Sequence, residues 1–184
     1  MWQRATWHEC ADELDQVCET FRRAYWGKRH KGWPRHPDDV AEMEATSKQG
    51  VQLLRALALA VRSEQDFKLV PTAAPVVGAL KSEGAMPSDG YEVKQRGGYA
   101  GMLEVNGYAP LNLRQALNKI AHADPQTADY YVRVMDQAHD LLLYGEDRRK
   151  KWFAAISLLE LVKAIRALPD ASLDPVKTRT VPLD

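Results

Sequence analysis

The sequence has little of what usually assigns a function directly, beginning with cysteine. Only two of its 184 residues are cysteines, Cys10 and Cys18, and they stand eight residues apart in one predicted helix. That spacing corresponds to about 12 Å along the helix axis, which is too far for a disulfide. The histidines show no metal-ligand spacing either, so we expect two free thiols, no metal and no cofactor.

Net charge is also lacking. The chain carries 25 Lys and Arg against 25 Asp and Glu, so no global field favours nucleic acid, a membrane or an acidic substrate. Any anion must therefore be bound by a local cluster of basic residues.

Long apolar runs are missing as well. The longest apolar-rich stretch, residues 53–61, is interrupted by Arg55, and residues 1–9 carry charged side chains. Neither a secretory signal nor a membrane span is predicted. Together with the free thiols, this pattern favours a cytoplasmic protein without a membrane partner.

What is present is helical periodicity in the N-terminal half. Apolar residues at three- and four-residue steps predict a first helix over about residues 6–29 and a second over about residues 38–66. Asp39 and Glu42 are placed as a capping box for the second helix. Its predicted buried residues are Val51, Leu54, Leu57, Leu59 and Val61.

The middle of the chain is rich in residues that interrupt regular structure. Thr72 is a candidate cap for a short third helix that ends near Gly84, and residues 87–101 contain enough Gly and Pro to predict an irregular region. Residues 102–107 end in Asn-Gly, which indicates a brief hairpin.

The C-terminal third changes to a period of two over residues 130–135, which predicts a strand. Apolar runs at residues 141–144 and 152–156 predict an antiparallel hairpin. Ser157 and Glu160 are placed as a capping box for a final helix that ends before Pro169.

The predicted fold class is α+β, mostly α, with two long N-terminal helices, further short helices and a small antiparallel sheet in the C-terminal half. Residues 1–170 are expected to form a single mostly helical domain, and residues 171–184 an extended or disordered tail.

The most informative stretch is residues 112–124, a predicted helix capped by Asn112 and Gln115. Spacing of four residues places Arg114, Asn118 and His122 on one face. An arginine can hold a phosphate through two parallel hydrogen bonds and a histidine can transfer a proton, so the three suit metal-free cleavage of RNA. The alternative is structural: Asn118 and His122 satisfy backbone groups, and Arg114 is solvated.

The pattern of Arg114 followed by Asn118-Lys119-Ile120-Ala121-His122 resembles the signature helix of HEPN domains, helical bundles of toxin–antitoxin and antiviral defence systems. The resemblance implies a metal-independent endoribonuclease site shared across a homodimer. It also implies that His122 transfers the proton, that Asn118 is its polar companion and that Arg114 clamps the phosphate. Residues 113–122 followed by a strand pair with Gly-Glu and Trp also resemble a segment of uncharacterised bacterial proteins. That second resemblance suggests no activity.

A second candidate is a cluster of basic and aromatic residues over residues 21–36. Cations can follow a phosphate backbone while exposed aromatic rings stack on bases, so the cluster suits RNA. It suits an acidic protein partner equally well, and the alternative is that its aromatic residues anchor a helix end in the core. The cluster contains Arg22, Arg23, Tyr25, Trp26, Lys28, Arg29, Lys31, Trp33 and Arg35.

Two smaller segments have a structural and a functional interpretation. Residues 148–151 are all basic and lie at the tip of the predicted hairpin, where charge usually serves solubility and protects strand edges. Residues 97–101, Gly-Gly-Tyr-Ala-Gly, form either an anion-binding backbone nest or a flexible loop.

Two functional hypotheses remain. One is a HEPN-like defence or toxin–antitoxin protein that binds or cleaves RNA. The other is a non-enzymatic protein-interaction domain, such as an inhibitor, immunity or adaptor protein, because no strong catalytic motif is present.

Overall fold

The computed structural model describes residues 7–26, 36–66, 75–123, 128–132 and 139–169. In these ranges the chain forms six helices and five strands. The helices are α1 (Trp7–Trp26), α2 (Pro37–Asp66), α3 (Ser88–Gln95), α4 (Tyr99–Met102), α5 (Leu113–His122) and α6 (Leu158–Arg166). The strands are β1 (Val76–Lys81), β2 (Ala109–Asn112), β3 (Asp129–Val132), β4 (His139–Asp147) and β5 (Lys150–Ser157). The predicted fold class is confirmed, and the predicted tail lies outside the described residues.

The two long N-terminal helices pack against each other. On α1 the predicted stripe is confirmed, since Leu14, Val17 and Phe21 are buried. On α2 the prediction for Leu59 is wrong: Leu57, Ala58 and Val61 are buried and Leu59 is 65% exposed. Two residues correspond to about 200° around a helix, so Leu57 and Leu59 cannot both face the core.

The predicted capping box of α2 is also wrong. The helix begins at Pro37, so Asp39 already lies inside its first turn. The backbone N–H of Asp38 donates instead to Nδ1 of His36 at 3.3 Å. Proline suits the first helical position because its missing N–H has no partner there in any case.

The five strands form one antiparallel sheet in the order β2-β1-β5-β4-β3. The predicted hairpin is confirmed as β4 and β5, which are joined by a turn of only two residues, Arg148 and Arg149. Strand β3 confirms the strand predicted near Tyr130. Strand β1 also belongs to this sheet, although it lies earlier in the chain than the strands that were predicted to form it.

Two local predictions in the middle of the chain are wrong. Residues 76–81 form a strand where a third helix was expected, because a short apolar run does not distinguish a buried strand from a helix. A Cβ on Gly78 would lie 2.3 Å from the carbonyl oxygen of Ala155, so close pairing with β5 requires glycine. The expected hairpin over residues 102–107 is instead the end of α4 followed by turns, and the expected irregular region contains α3.

Helices cover both faces of the sheet. The larger core lies between the sheet and α1, α2, α5 and α6. The predicted final helix is confirmed as α6, and Ser157 Oγ caps it by accepting from the backbone N–H of Glu160 at 3.3 Å. Only this half of the predicted capping box is present, because the Glu160 carboxylate accepts from Lys163 Nζ at 2.8 Å. A smaller core lies under α3 and α4 and contains Ala79, Val93, Met102, Leu142, Phe153 and Ala155. None of the described helices is both long enough and apolar enough to span a membrane.

Candidate functional site

Helix α5 begins with the predicted capping box. Asn112 Oδ1 accepts from the backbone N–H of Gln115 at 2.9 Å, and Gln115 Oε1 accepts from the backbone N–H of Asn112 at 3.1 Å. Leu113, Ala116, Leu117 and Ile120 form the buried face of α5. The stripe of Arg114, Asn118 and His122 therefore lies beside that face on a firmly started helix.

Arg114 is used to hold the end of α2. Its Nη1 donates to the backbone carbonyl of Arg62 at 3.0 Å, and its Nη2 donates to Asp66 Oδ1 at 2.5 Å. A cation is favoured at a helix C-terminus, where carbonyls lack intrahelical partners and the helix dipole is negative. The Arg114 side chain, 24% exposed, is thus bound to the end of α2 and is neither fully solvated nor free to serve a phosphate alone.

The other two residues of the stripe have different surroundings. Asn118 is half-buried, and its Oδ1 is buried with no hydrogen-bond partner in the part of the chain that the structure describes. His122, in the last turn of α5, is exposed. One helix brings the three residues into line, but of the three only Arg114 forms a side-chain hydrogen bond to another described part of the fold.

Only part of the basic and aromatic cluster falls within the described residues. Phe21 is buried and its ring lies 5.1 Å from that of Tyr130 and 6.2 Å from that of Tyr25, measured between centroids. This packing supports the anchoring interpretation for the end of α1. Arg23 is exposed, with Glu19 at 3.7 Å, and Arg22 is half-buried. Trp26 is half-buried, with its ring 5.2 Å from that of Tyr25. The other five members, Lys28, Arg29, Lys31, Trp33 and Arg35, lie outside the described residues.

The Gly97-Gly98-Tyr99 segment holds a carboxylate from the protein itself. Both glycines have positive φ, 76° and 112°, and the backbone N–H of Tyr99 donates to Asp140 Oδ2 at 2.8 Å. Asp140 is buried at the start of β4. The segment therefore anchors α4 to the sheet. For the anion-nest interpretation, this means that the Tyr99 N–H is already occupied by Asp140.

Groups for metal or nucleophilic chemistry are few. No group of three or more His, Cys, Asp or Glu able to hold a metal ion occurs among the described residues. Burial raises the pKa of the Cys18 thiol to about 12, so this thiol stays protonated near neutral pH.

A polar network around Asp89 fixes the loop before α3. Asp89 is 2% exposed, and its Oδ1 accepts from Lys81 Nζ at 2.9 Å and from the Tyr108 hydroxyl at 2.6 Å. Its Oδ2 accepts from the backbone N–H of Met86 at 2.6 Å. Burial alone would raise the pKa of Asp89, yet these hydrogen bonds lower it overall, so the carboxylate stays charged.

Beside this loop lies an open groove of about 620 Å³, which we call the hairpin groove. It is lined by residues 85–87 before α3, residues 144–146 of β4, Lys151 and Trp152 of β5, and Asp129 of β3. The Tyr144 hydroxyl accepts from the backbone N–H of Gly90 at 3.1 Å and so connects β4 to α3. Met86 is 59% exposed at the groove.

Trp152 connects the groove to α5. The Trp152 side chain is 2% exposed and its ring covers Gly145, where a Cβ would lie only 2.1 Å from ring atom Cζ2. Lys119 Nζ lies 4.2 Å from the ring centroid, in cation–π contact. Burial lowers the pKa of Lys119.

The tip of the hairpin is strongly basic and has an unusual backbone. Arg148 and Arg149 both have positive φ, 47° and 67°, and both are exposed. Lys150 pairs with Glu83. Within the described ranges, neither arginine is hydrogen-bonded or ion-paired.

The sequence did not single out Lys119, Asp89 or the Gly145-Trp152 pair. Gly145 was the available signal, because a glycine directly after an apolar strand run often marks close approach of another group. The partners of these residues lie far away in sequence, so their contacts were not visible in any local pattern.

Comparison with known proteins found no match for this chain among protein-family models, curated proteins or solved structures.

Proposed function

We propose that this chain is a non-enzymatic protein-binding domain whose hairpin groove takes an extended segment of a partner protein. The observation that carries the proposal is the groove itself. Its volume of about 620 Å³ lies within the range of roughly 300–1,000 Å³ typical of sites that bind small molecules or side chains. Apolar and aromatic side chains meet a few charged ones in its lining, which suits apolar anchors of a peptide.

The groove is held open by interactions within the folded chain. Three donors fix Asp89 and hence the loop that carries Met86. The Tyr144 hydroxyl ties the opposite strand to α3. A site formed before binding avoids part of the ordering cost, which favours useful affinity from a small contact area.

The surroundings of α5 also favour binding over catalysis. Three of the five N–H donors of Arg114 are taken up by Arg62, Gln65 and Asp66, and the Asp66 carboxylate beside them would repel a phosphate. Without that clamp the stripe retains one exposed imidazole and one amide, which is a weak basis for cleavage of a phosphodiester.

The groove is tested with a library of random 12-residue peptides displayed on phage and selected on the full chain. Met86→Ser should weaken the selected peptide at least tenfold in fluorescence anisotropy, since burying a methionine contributes about 2 kcal/mol. Leu59→Ser is the matched control, because Leu59 is equally exposed but lies on α2. Equal effects of the two substitutions, or no peptide above background, would contradict the proposal.

A second candidate is the HEPN-like RNA-binding or RNA-cleaving protein, acting as a homodimer. The exposed His122 and the unpartnered Oδ1 of Asn118 favour it. Seven residues separate Arg114 from His122, however, and Leu117 stands before Asn118. If the chain cleaves RNA, His122→Ala abolishes cleavage at unchanged melting temperature, and the active species has the mass of a dimer.

A further inference from the structure

We infer that the hairpin tip selects an acidic partner, so that the segment bound in the hairpin groove carries Asp or Glu next to its apolar anchor. This inference rests on the proposed function and names the chemistry of the partner. Its basis is the juxtaposition of the groove with Arg148 and Arg149.

The tip and the groove belong to the same few residues of one hairpin. Residues 144–146 and 151–152 line the groove, and Arg148 and Arg149 form the turn between them. A segment lying in the groove and continuing toward the turn would therefore meet both guanidinium groups.

The charges around the groove do not cancel at the tip. Lys94 pairs with Asp129, and Lys150 pairs with Glu83. Glu146 and Asp147 stand opposite Lys151 and Lys150 in the strand register, so the two acids next to the turn offset the two lysines. The excess positive charge of the hairpin thus resides on the two turn arginines, in a chain whose total charge is zero. Paired guanidinium groups bind carboxylates in bidentate geometry.

The backbone of the turn supports a role for these side chains beyond joining two strands. Two successive residues with positive φ form the kind of two-residue turn in which Asn-Gly is strongly preferred. Arginine at both positions strains the backbone, and neither side chain forms a hydrogen bond or ion pair with the described residues in return. Strain of this kind is concentrated at sites that bind a partner.

The same surroundings favour a peptide over RNA. Binding of single-stranded RNA relies on exposed aromatic rings that stack on bases. The tryptophan of the hairpin is Trp152, which is 2% exposed and covered by Lys119. The adjacent groove offers Met86 and Tyr144 to apolar side chains instead.

The test uses the double variant R148N/R149G, because Asn-Gly suits this turn and preserves the fold. Peptides selected on the unmodified chain should be enriched in Asp and Glu, and their affinity for R148N/R149G should fall at least tenfold. Selection on R148N/R149G itself should yield peptides without acidic enrichment. The control K48Q/R55Q removes two exposed cations from α2 and should bind the acidic peptides as the unmodified chain does.

Each alternative outcome overturns a different statement. Peptides that require Met86 but lack acidic enrichment contradict the acidic partner and leave the proposed function standing. Acidic peptides that bind R148N/R149G unchanged contradict the role of the tip. Binding of a 20-nucleotide oligouridine that competes with the peptide and is lost in R148N/R149G assigns the tip to nucleic acid instead. Peptide binding that is indifferent to Met86→Ser contradicts the proposed function itself.

Discussion

Helix α5 and the β4–β5 hairpin both present arginine, and they use it in opposite ways. Arg114 on α5 donates to the last carbonyls and a carboxylate of α2, so its charge is consumed by packing of one helix against another. Arg148 and Arg149 stand on a strained turn, and their side chains form no hydrogen bond or ion pair with the described residues. The position of an arginine in a suggestive motif is therefore a poorer guide to function than whether its donors are already engaged.

Trp152 lies between the two regions, and the largest expected effect comes from disturbing it. Gly145→Ala should destabilise the fold by about 3 kcal/mol, because the new Cβ would overlap the buried indole ring, whose neighbours leave it little room to move. Urea denaturation measures the change. Gly50→Ala in α2 is the matched control, with its Cβ at 3.6 Å from the nearest atom, and should be neutral or stabilising by up to about 1 kcal/mol. Equal destabilisation by both substitutions would refute the tight fit at Gly145.

The base of the hairpin should respond to pH, whereas the tip should not. His139 is 1% exposed and stacked on Phe21, and neither of its ring nitrogens has a hydrogen-bond partner among the described residues. Burial, and secondarily Arg22, lower its pKa from 6.5 to about 3. The unfolded chain therefore takes up a proton before the folded chain does, and stability that is complete above pH 6.5 is lost as the pH falls toward 3.

The expected loss from this histidine between pH 7.5 and pH 5 is about 2 kcal/mol. The variant His139→Phe keeps an aromatic ring in the stack and should lose this part of the pH dependence. Urea denaturation of both proteins across that range isolates the contribution of His139. Identical pH profiles for the two proteins would show that His139 titrates as it does in water.

The smallest expected effects on stability come from substituting the arginines themselves, and they distinguish Arg114 from the two turn arginines. Arg114→Gln should lower the free energy of unfolding by about 1–2 kcal/mol, because it frees carbonyls at the end of α2, and peptide binding should not change.

R148N/R149G should leave stability unchanged or raise it by about 1 kcal/mol as backbone strain is relieved, while binding falls. His122→Ala is a surface control expected to stay within about 0.5 kcal/mol of the unmodified chain. If Arg114→Gln is as stable as the unmodified chain, Arg114 does not stabilise the end of α2.

The parts of the fold that sequence predicted well are those written in local signals. The box of Asn112 and Gln115, the cap at Ser157 and the β4–β5 hairpin each depend on residues a few positions apart, and all three are confirmed. Strand β1 was misread because its short apolar run lacks a distinguishing period. The burial of Leu59 was misread because residues two apart on a helix face opposite directions.

The candidate site was less accessible to sequence reasoning. The stripe on α5 was placed correctly, but Arg114 meets its partners across 48 or more residues of sequence. The hairpin groove joins the loop at residues 85–87 to strand residues more than 40 positions later in the chain, so no local sequence pattern predicts it. The HEPN-like assignment stays a prediction.

Peptide binding in the hairpin groove is tested most directly by a map of amide chemical-shift changes when a selected peptide is added to the isotope-labelled chain. We expect the changes to cluster on residues 85–87 and 144–152, with α5 little affected beyond Lys119. Changes centred on Arg114, Asn118 and His122 instead would contradict it.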